Sequence, residues 1–206
     1  MLEILLEEPS AEILVQKLAP VVVPSAQEGV NFATRVFQGK HDMLRKLPQR
    51  LAGYGSWAAE GDCRCLILLD RDDDDCMELK TRLVGIVNSV KGLEYLEGAK
   101  AVSGGHVKVR IACEEIEAWM FGDPEALRAA YPKLPRAFEK KSIYREPDEI
   151  KGGTWERMER LLQGSGYFPG GLRKMELART VAPYMNPKNN NSTSFLHFCQ
   201  ALQGLI

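Results

Sequence analysis

Long apolar runs are missing from this chain of 206 residues, and no stretch approaches the roughly 20 apolar residues that a membrane-spanning helix needs. The first ten residues, MLEILLEEPS, carry glutamates where a secretory signal would carry lysine or arginine. The three histidines lie far apart in sequence, which disfavours a histidine-based metal or nucleophile site. Five cysteines, an odd number, fit reduced thiols better than a disulfide framework. We therefore expect a cytoplasmic protein without a membrane partner.

Net charge is also low, at −1, but the charged side chains are unevenly distributed. Residues 1–130 hold 21 acidic and 15 basic side chains, a balance of −6, whereas residues 131–206 hold 7 and 12, a balance of +5. The acidic part is suited to binding a cation, and the basic part to contacting a polyanion such as nucleic acid. The near-neutral total therefore excludes neither kind of partner.

Short apolar segments alternate with amphipathic segments over the first 111 residues, which is the pattern of a parallel sheet covered by helices. The continuous apolar run Cys65–Leu69 is typical of a strand that is buried on both faces. The predicted strands are Leu2–Leu6, Asn31–Phe37, Arg64–Leu69 and Val107–Ile111. Three helices are predicted between these strands. The first is capped by Ser10 and ended by Pro20 and Pro24. The second spans His41–Tyr54, where Pro48 kinks or restarts it, and the third spans Asp75–Val90.

After Ile111 the pattern indicates helices only. The predicted helices are Glu114–Phe121, a helix that Asp123 caps and that reaches Tyr131, Thr154–Leu162 with Thr154 as its cap, Leu172–Tyr184, and a last helix that buries Phe195, Phe198 and Leu202. We expect the α/β class, with about four mainly parallel strands flanked by helices over residues 1–121. Residues 122–206 are expected to form a helical C-terminal extension that packs on this core within one structural domain.

Acidic side chains follow three of the predicted strands. Asp70 and Asp72 come directly after the buried strand, Glu7 and Glu8 follow the first strand, and the segment after the fourth strand carries Glu114, Glu115 and Glu117. Since ligands bind at the carboxyl ends of parallel strands, we expect these acids to meet at one edge of the sheet. Several carboxylates in one place repel one another, and a hard divalent cation such as Mg²⁺ or Mn²⁺ relieves that repulsion.

The aspartates of this group do not all require a functional role. Asp73 and Asp75 precede a predicted helix, where aspartate caps free N–H groups, and capping alone accounts for them. Asp70 leaves a fully apolar strand and is expected to be half-buried, where an unpaired carboxylate is costly. Asp70 and Asp72 are therefore the favoured functional aspartates.

The glutamates are less well defined by spacing. Alternate residues of a strand point to opposite faces, so the choice between Glu7 and Glu8 stays open. On the predicted helix, Glu114 and Glu117 share a face that Glu115 does not, which favours that pair.

Three known acidic motifs were weighed against this pattern. An EF-hand that started at Asp70 would need glycine and glutamate where this chain has Asp75 and Thr81, so that motif fails. A haloacid-dehalogenase phosphatase would use Asp70 as nucleophile and Asp72 as acid and base, and a sugar-nucleotide transferase would use the same pair to hold its metal. Neither of these two alternatives explains Glu7.

A glutamate after the first strand, a later Asp-x-Asp after a buried strand, and the alternation of strands and helices together resemble the Toprim domain of primases, topoisomerases and OLD-type nucleases. Within that group, the chain resembles the bacterial family called domain of unknown function 4276. The stretches that carry the resemblance span most of the chain: residues 6–12, 37–40, 69–74, 115–119 and 170–174.

The resemblance implies a Toprim/Rossmann-like fold and a divalent-ion site. The Toprim glutamate falls on Glu7, the Asp-x-Asp falls on Asp70 and Asp72, and the acid of a Glu-x-Trp motif in related nucleases falls on Glu117. The second acid that often follows the Toprim glutamate by four residues would be Ala11. Further candidate ligands are Asp74, Glu114 and Glu12.

Basic residues are candidates for holding a phosphate. Arg173 and Lys174 follow two glycines at the start of a predicted helix, where free N–H groups and cations bind anions. A turn with a solvated lysine is the structural alternative. Lys40 follows Gly39 after the second strand, and a basic surface that would contact nucleic-acid backbone carries Lys140 and Lys141. The three tryptophans, Trp57, Trp119 and Trp155, are expected in the core or at an interface rather than as base-stacking platforms.

These observations favour a metal-dependent, nuclease-like phosphodiester hydrolase, with Glu7, Asp70, Asp72, Glu117 and Lys174 as its catalytic residues. The resemblance to OLD-type proteins implies an effector of defence against phage or mobile elements. It also implies a separate ATPase subunit, because this chain has no Gly-x-x-x-x-Gly-Lys-Ser/Thr loop. DNA is favoured over RNA as the substrate, and a homodimer is left open. The alternative is a non-catalytic module that binds a partner ATPase or nucleic acid.

Overall fold

The computed structural model describes residues 1–58, 61–98 and 105–206, and they form a mixed α/β structure around a parallel sheet. The sheet has five strands in the order β2-β1-β3-β5-β4, and every neighbouring pair is parallel. The strands are β1 (Leu2–Leu6), β2 (Phe32–Val36), β3 (Cys63–Asp70), β4 (Leu93–Tyr95) and β5 (Gly105–Ala112).

Helices cover both faces of this sheet. The first three are α1 (Pro9–Val22), α2 (Lys40–Ala58) and α3 (Cys76–Asn88). Beyond β5 follow α4 (Glu117–Phe121), α5 (Pro124–Ala130), α6 (Ser142–Arg145), α7 (Thr154–Gln163), α8 (Lys174–Val181) and α9 (Thr193–Leu205), with 3₁₀ turns at Phe138–Lys140, Pro147–Glu149 and Ala182–Tyr184. Within the described residues, no helix is both long and apolar enough to cross a membrane.

The central strand β3 explains why the sheet has a core on each face. Its apolar side chains alternate, so that Leu66 and Leu68 face one hydrophobic cluster and Ile67 and Leu69 face the other. The first cluster combines α1 with the helices that follow β5, and the second is formed by α2 and α3. The C-terminal helices therefore share one core with the first strand and helix.

The strand order places a crevice beside β1. In the strand order, β2 is the neighbour of β1 on one side and β3 is its neighbour on the other side. The chain therefore reverses its direction across the sheet between β2 and β3. In doubly wound sheets, ligands bind at such a switch point, outside the carboxyl ends of the strands. The residues that follow β1 and end β3, Glu7 and Asp70, flank this point.

Much of the predicted secondary structure is confirmed. Leu2–Leu6 has the predicted bounds, and the other three predicted strands agree with β2, β3 and β5 to within two residues at each end. Asp75 caps α3 by accepting hydrogen bonds from Met77 and Glu78 N–H at 2.9 Å. Asp123 caps α5 through Ala126 N–H at 3.0 Å. The last helix buries Phe195, Phe198 and Leu202 as predicted.

The expectation of about four strands falls one short, because the described part of the chain forms a fifth. β4 has only three residues and pairs with Gly105–Val107 of β5. So short a segment has no periodicity to recognise, and its partner strand is what makes it a strand.

Several predicted helix limits are also wrong. Ser10 does not cap α1, which begins at Pro9, and the Ser10 hydroxyl instead donates a hydrogen bond to Glu8. α1 continues through Pro20 to Val22, and α2 continues through Pro48. The missing N–H of Pro20 falls in the last turn, where few hydrogen bonds remain to lose, and the buried apolar face keeps the helix intact.

At the other end of the chain, α7 follows Gly153, and Thr154 is its first residue rather than its cap. α8 begins only at Lys174, two residues after the predicted start, and its regular turns end at Val181. α4 begins at Glu117, so Glu114 and Glu115 precede it.

Candidate functional site

Three carboxylates meet at the carboxyl edge of the sheet, each supplied by a different strand end. Glu7 follows β1, Asp70 is the last residue of β3, and Glu117 opens α4 shortly after β5. The Asp70 N–H donates a hydrogen bond to Glu7 Oε2 at 3.2 Å. Asp70 is 7% exposed and Glu117 is fully buried. The parallel sheet thus gathers acids that are far apart in sequence.

Lys174, the first residue of α8, brings one positive charge to these acids. Its Nζ lies 3.2 Å from Glu115 Oε1, 3.8 Å from Glu117 Oε1 and 4.0 Å from Glu8 Oε1. The ammonium group also lies over the Trp155 ring, 5.8 Å from its centroid. We call Glu8, Asp70, Glu115, Glu117 and Lys174 the inner cluster.

Glu115 is the best-satisfied acid of the inner cluster. Its Oε2 accepts hydrogen bonds from the Thr154 hydroxyl and from Trp155 N–H, both at 2.9 Å, while its Oε1 faces Lys174. The start of α7 therefore anchors Glu115. Because both of its oxygens have donors, Glu115 is suited to positioning Lys174.

Glu117 contrasts with Glu115. Neither Oε1 nor Oε2 of Glu117 has a hydrogen-bond partner among the described residues, although both atoms are buried. The Lys174 ammonium at 3.8 Å is too distant for a hydrogen bond. A buried carboxylate without donors is costly, and such groups call for a ligand or a functional explanation.

The acids near the switch point raise one another's pKa. Burial raises the pKa of Asp70 well above its usual range, and the charges of Glu117 and Glu7 add to this effect. Burial raises the pKa of Glu117 to about 7, although Lys174 opposes the shift. Burial also raises the pKa of Glu7, against the hydrogen bond from Asp70 N–H. The site is therefore short of positive charge near neutral pH.

Lys174 responds in the opposite direction. Burial by itself lowers the pKa of its ammonium group, but the charges of Glu117 and Glu8 outweigh burial and the pKa is raised. Lys174 thus stays protonated throughout the neutral range. One cation serves four carboxylates in the inner cluster.

A second, more exposed group lies next to Glu7. Lys40 Nζ contacts Asp72 Oδ2 at 2.7 Å and Asp74 Oδ2 at 2.9 Å, and it donates a hydrogen bond to the Arg71 carbonyl at 2.8 Å. We call Lys40, Asp72 and Asp74 the outer cluster. The position of Lys40 follows from Gly39, which precedes it. Gly39 has a φ of 86°, which turns the chain into α2, and its N–H donates a hydrogen bond to the Glu7 carbonyl at 3.0 Å.

The backbone beyond β3 and β5 is held in an uncommon conformation. Asp72 and Glu114 have φ values of 49° and 55°, in the left-handed region that side chains other than glycine rarely adopt. The Asp72 N–H donates to the Glu114 carbonyl at 2.7 Å, so the two strained residues fix each other. Strain of this kind is concentrated at functional sites.

A cavity of about 460 Å³ opens beside the two clusters. No basic side chain is among the residues that line it, which are Asp72, Asp73, Glu114, Glu115, Gly152, Gly153 and Glu156. Burial raises the pKa of Glu114 in this wall, with Arg71 opposing the shift. An acidic cavity attracts cations and repels a phosphate that arrives without one.

The comparison with protein families gives one match, to the model described as Domain of unknown function (DUF4276), over residues 4–203. That match covers almost the whole chain. The chain belongs to the DUF4276 family. Neither a curated protein nor a solved structure matches it.

The DUF4276 chain brings together only some of the residues that its sequence singles out. Asp70 N–H bonds to Glu7, Lys174 lies 3.8 Å from Glu117, and the charges of Glu7, Glu117 and Lys174 all act on Asp70. Asp72 and Asp74 turn toward Lys40, and the Asp72 side chain is 47% exposed. The predicted phosphate-binding residue Lys40 is therefore already paired with two carboxylates.

Other candidates lie away from these clusters. Glu12 accepts a hydrogen bond from the Thr34 hydroxyl at 2.7 Å, on the side of α1 that faces β2. Arg173 is exposed and pairs with Glu176 one turn later in the chain. Lys140 and Lys141 are exposed near the 3₁₀ turn at Phe138–Lys140. Their predicted contact with a nucleic-acid backbone stays a prediction.

The sequence argument that preferred Glu114 to Glu115 is wrong in its premise. That argument needed both Glu114 and Glu117 on one helix. The helix begins only at Glu117, and the backbone of Glu114 lies in the left-handed region. Glu115 reaches Lys174, and Glu114 faces Arg71 at 3.5 Å. No sequence signal distinguishes the two, because the turn between β5 and α4 decides which acid points inward.

The chemistry of the donors suits a hard cation, since carboxylate oxygens dominate both clusters and Glu117 has two without partners. In their present conformations, however, the described residues contain no group of three or more His, Cys, Asp or Glu side chains that could hold a metal ion. Lys174 and Lys40 supply the positive charge instead. By donor type the site fits a divalent ion, but it is not arranged around one.

Proposed function

We propose that this DUF4276 protein is a metal-dependent phosphodiester hydrolase of the nuclease type. The observation that carries the proposal is the group of buried carboxylates at the β1/β3 switch point. Asp70 and Glu117 have raised pKa values there, and Glu117 has no hydrogen-bond partner in the described part of the chain. A carboxylate that is both buried and unsatisfied has a cost, and binding a divalent cation would remove that cost.

A Toprim-like identity for the sheet belongs to the same proposal. It is supported by a glutamate directly after β1, an Asp-x-Asp that begins at the last residue of β3, and the position of both at a switch point of a parallel sheet. The order of strands and the helices on both faces agree with a doubly wound fold of this kind.

Asp70, Glu117 and Glu7 are the residues that would hold the ion, with Asp72 as a further ligand once it leaves Lys40. A bound divalent ion neutralises phosphate charge and lowers the pKa of an attacking water. Lys174 would keep Glu115 and Glu117 in place and present a positive charge to a phosphate oxygen. Lys40 would hold the Asp72–Asp74 turn against α2 until substrate arrives.

The proposed substrate is DNA in preference to RNA, and the proposed partner is a separate ATPase subunit. The second point rests on the resemblance to OLD-type nucleases. A role in defence against phage or mobile elements is proposed through the resemblance to OLD-type nucleases. The exposed lysines Lys140 and Lys141 would contact the nucleic-acid backbone without reading its sequence.

Cleavage assays with wild type and Asp70→Asn test the proposal. Plasmid, linear DNA and RNA are incubated with Mg²⁺, with Mn²⁺ or with EDTA. We expect metal-dependent cleavage by wild type and a loss of at least about a hundredfold in Asp70→Asn, since that change removes a ligand charge but keeps the side-chain shape. The exposed Glu94 on β4 gives a control, Glu94→Gln, that should retain full activity. Equal cleavage by wild type and Asp70→Asn would rule out this site.

A second function is favoured by the two lysines. Because Lys174 and Lys40 already neutralise part of the acidic charge, the clusters are also consistent with a non-catalytic module that binds an ATPase or nucleic acid. This module would give no cleavage with any metal, and its Tm would not change when Mn²⁺ is added. A rise in Tm with Mn²⁺ that Asp70→Asn abolishes would exclude it.

A further inference from the structure

An exposed tryptophan, Trp57, belongs to neither the inner nor the outer cluster. Trp57, in the last turn of α2, is 58% exposed, whereas Trp119 is fully buried. Of the two expected places for a tryptophan, the core and an interface, the core is therefore excluded for Trp57. A single exposed aromatic side chain is ordinary, but an apolar patch that polar residues border marks an interaction surface.

Trp57 forms one wall of an open cavity of about 450 Å³ beside α2. The floor is made by the rings of Phe37 and Tyr54, and the Tyr54 and Trp57 centroids lie 5.5 Å apart. The rim carries Lys46, Gln49 and Arg50. We call these six residues and Gly53 the Trp57 groove.

The groove lies on a basic helix, although it belongs to the acidic part of the sequence. Over Lys40–Ala58, α2 has four lysines and arginines and a single acid, Asp42. Asp42 pairs with Arg45 and Lys46. Arg50 is exposed and makes no hydrogen bond or ion pair with any described residue. A free guanidinium thus borders an exposed indole.

Helix α2 joins the groove to the outer cluster. Phe37 follows β2, and its N–H bonds to the Leu6 carbonyl at 2.9 Å, one residue before Glu7. α2 begins at Lys40, which contacts Asp72 of the outer cluster. At a rise of about 1.5 Å per residue, Trp57 lies about 25 Å from Lys40 along the helix, so several nucleotides would separate a base on Trp57 from the outer cluster.

We propose that the Trp57 groove binds single-stranded nucleic acid, with a base stacked on the Trp57 indole and phosphates held by Arg50 and Lys46. Aromatic platforms bordered by cations are the usual means of binding single strands without sequence preference. A duplex hides its base faces and would not use the indole, and an acidic peptide would have no use for the stacking surface. Binding of a single strand to the groove does not require hydrolysis. The inference rests on the proposed function only for the further step, in which the bound strand reaches the carboxylates.

Binding of a fluorescein-labelled 15-nucleotide oligo(dT), followed by fluorescence anisotropy at low salt, tests the proposal. The measurement is made in EDTA, so it does not depend on metal binding or hydrolysis. We expect Trp57→Ala to weaken binding by at least about fivefold, because one stacked base is lost. Arg50→Gln should also weaken binding and should reduce its dependence on salt. Because the Trp57 and Arg50 side chains are both exposed, we expect both variants to fold as wild type does.

Two glycines provide a variant that blocks the groove and a matched control. A Cβ at Gly53 would meet no atom within 4 Å, so Gly53→Gln projects a side chain into the groove without a clash. Gly85 of α3 is equally open but lies outside the groove, which makes Gly85→Gln the control. We expect Gly53→Gln to weaken oligo(dT) binding by about fivefold or more and Gly85→Gln to leave it unchanged.

The outcomes separate this proposal from the proposed function. If oligo(dT) fails to bind, or if Trp57→Ala and Gly53→Gln bind it as wild type does, the groove is not a single-strand site. Duplex DNA that binds as tightly as oligo(dT) and equally well to Trp57→Ala would likewise overturn the proposal. Binding that depends on Trp57 in a protein that never cleaves would support the groove and overturn the hydrolase.

Discussion

Glu117 combines full burial, a pKa of about 7 and two carboxylate oxygens that have no hydrogen-bond partner among the residues that the structure describes. Because an ordinary glutamate has a pKa of 4.5, the folded protein binds this proton more tightly than the unfolded chain does. The free energy of unfolding should therefore fall as the pH rises from about 4.5 to about 7, and the total loss due to Glu117 is about 3 kcal/mol.

Urea unfolding of wild type and Glu117→Gln at pH 5 and pH 8 measures this contribution. We expect the variant to lose less stability between the two pH values than wild type, by about 3 kcal/mol. Glu94→Gln, which changes an exposed acid, should keep the wild-type pH dependence. If Glu117→Gln and wild type had the same pH dependence, the Glu117 carboxyl would not be titrating in a buried site.

Lys174 is the only cation of the inner cluster, so its removal leaves buried acids uncompensated. Breaking a fully buried pair costs about 3–5 kcal/mol. The Lys174 side chain is 28% exposed, so we expect Lys174→Met to lose about 2 kcal/mol at pH 8. The loss should be smaller at pH 5, where Glu117 is protonated.

Arg179→Met serves as the control for Lys174, because Arg179 is an exposed cation of the same helix. It should change stability by less than about 0.5 kcal/mol at either pH. A loss in Lys174→Met that is the same at pH 5 and pH 8 would assign the effect to packing rather than to charge.

α2 shows how neighbouring positions of one element can differ in what they tolerate. A Cβ at Gly55 would lie 2.4 Å from the Lys91 carbonyl oxygen and 2.9 Å from Val90 Cγ1, whereas a Cβ at Gly53 meets nothing within 4 Å. The close approach of α2 to the loop before β4 therefore requires glycine at position 55 but not at position 53. Gly92 makes the same approach from the other side, because its Cβ would lie 2.8 Å from the Gly55 oxygen.

The two glycines of α2 give a paired prediction about stability. Gly55→Ala should lower the free energy of unfolding by about 1–3 kcal/mol, because backbone has to move to relieve the clash. Gly53→Ala should raise it by up to about 1 kcal/mol, since alanine is the better helix former. Thermal unfolding of both variants checks the prediction, and a similar Tm for the two would contradict the close approach at Gly55.

At the scale of elements, the sequence predicts best where one local signal is strong. The apolar run of β3 and the inward spacing of Phe195, Phe198 and Leu202 in α9 are both confirmed. β4 could not be predicted, because a strand of three residues depends on its partner. Pro20 misleads for a related reason: burial of one face of α1 outweighs one missing hydrogen bond.

Across the whole molecule, the uneven charge distribution becomes a set of local contacts. Lys174 comes from the basic part of the sequence and contacts Glu8, Glu115 and Glu117 from the acidic part. The meeting of acids from separate strand ends follows from the alternation of strands and helices and was predictable. That Glu115 rather than Glu114 reaches Lys174, and that Asp72 turns to Lys40, depends on turns with positive φ that the sequence does not reveal.

Calorimetry of Mn²⁺ binding at pH 7 tests the central claim, the affinity of the carboxylate site for a divalent ion, most directly. Because the pKa of Glu117 is raised to about 7, we expect binding to release protons, which is detected as a dependence of the heat on the ionisation enthalpy of the buffer. Asp70→Asn should weaken binding by at least about tenfold, and Glu94→Gln should bind as wild type does. If wild type took up no Mn²⁺, or if Asp70→Asn bound it with unchanged affinity, these carboxylates would not be a metal site.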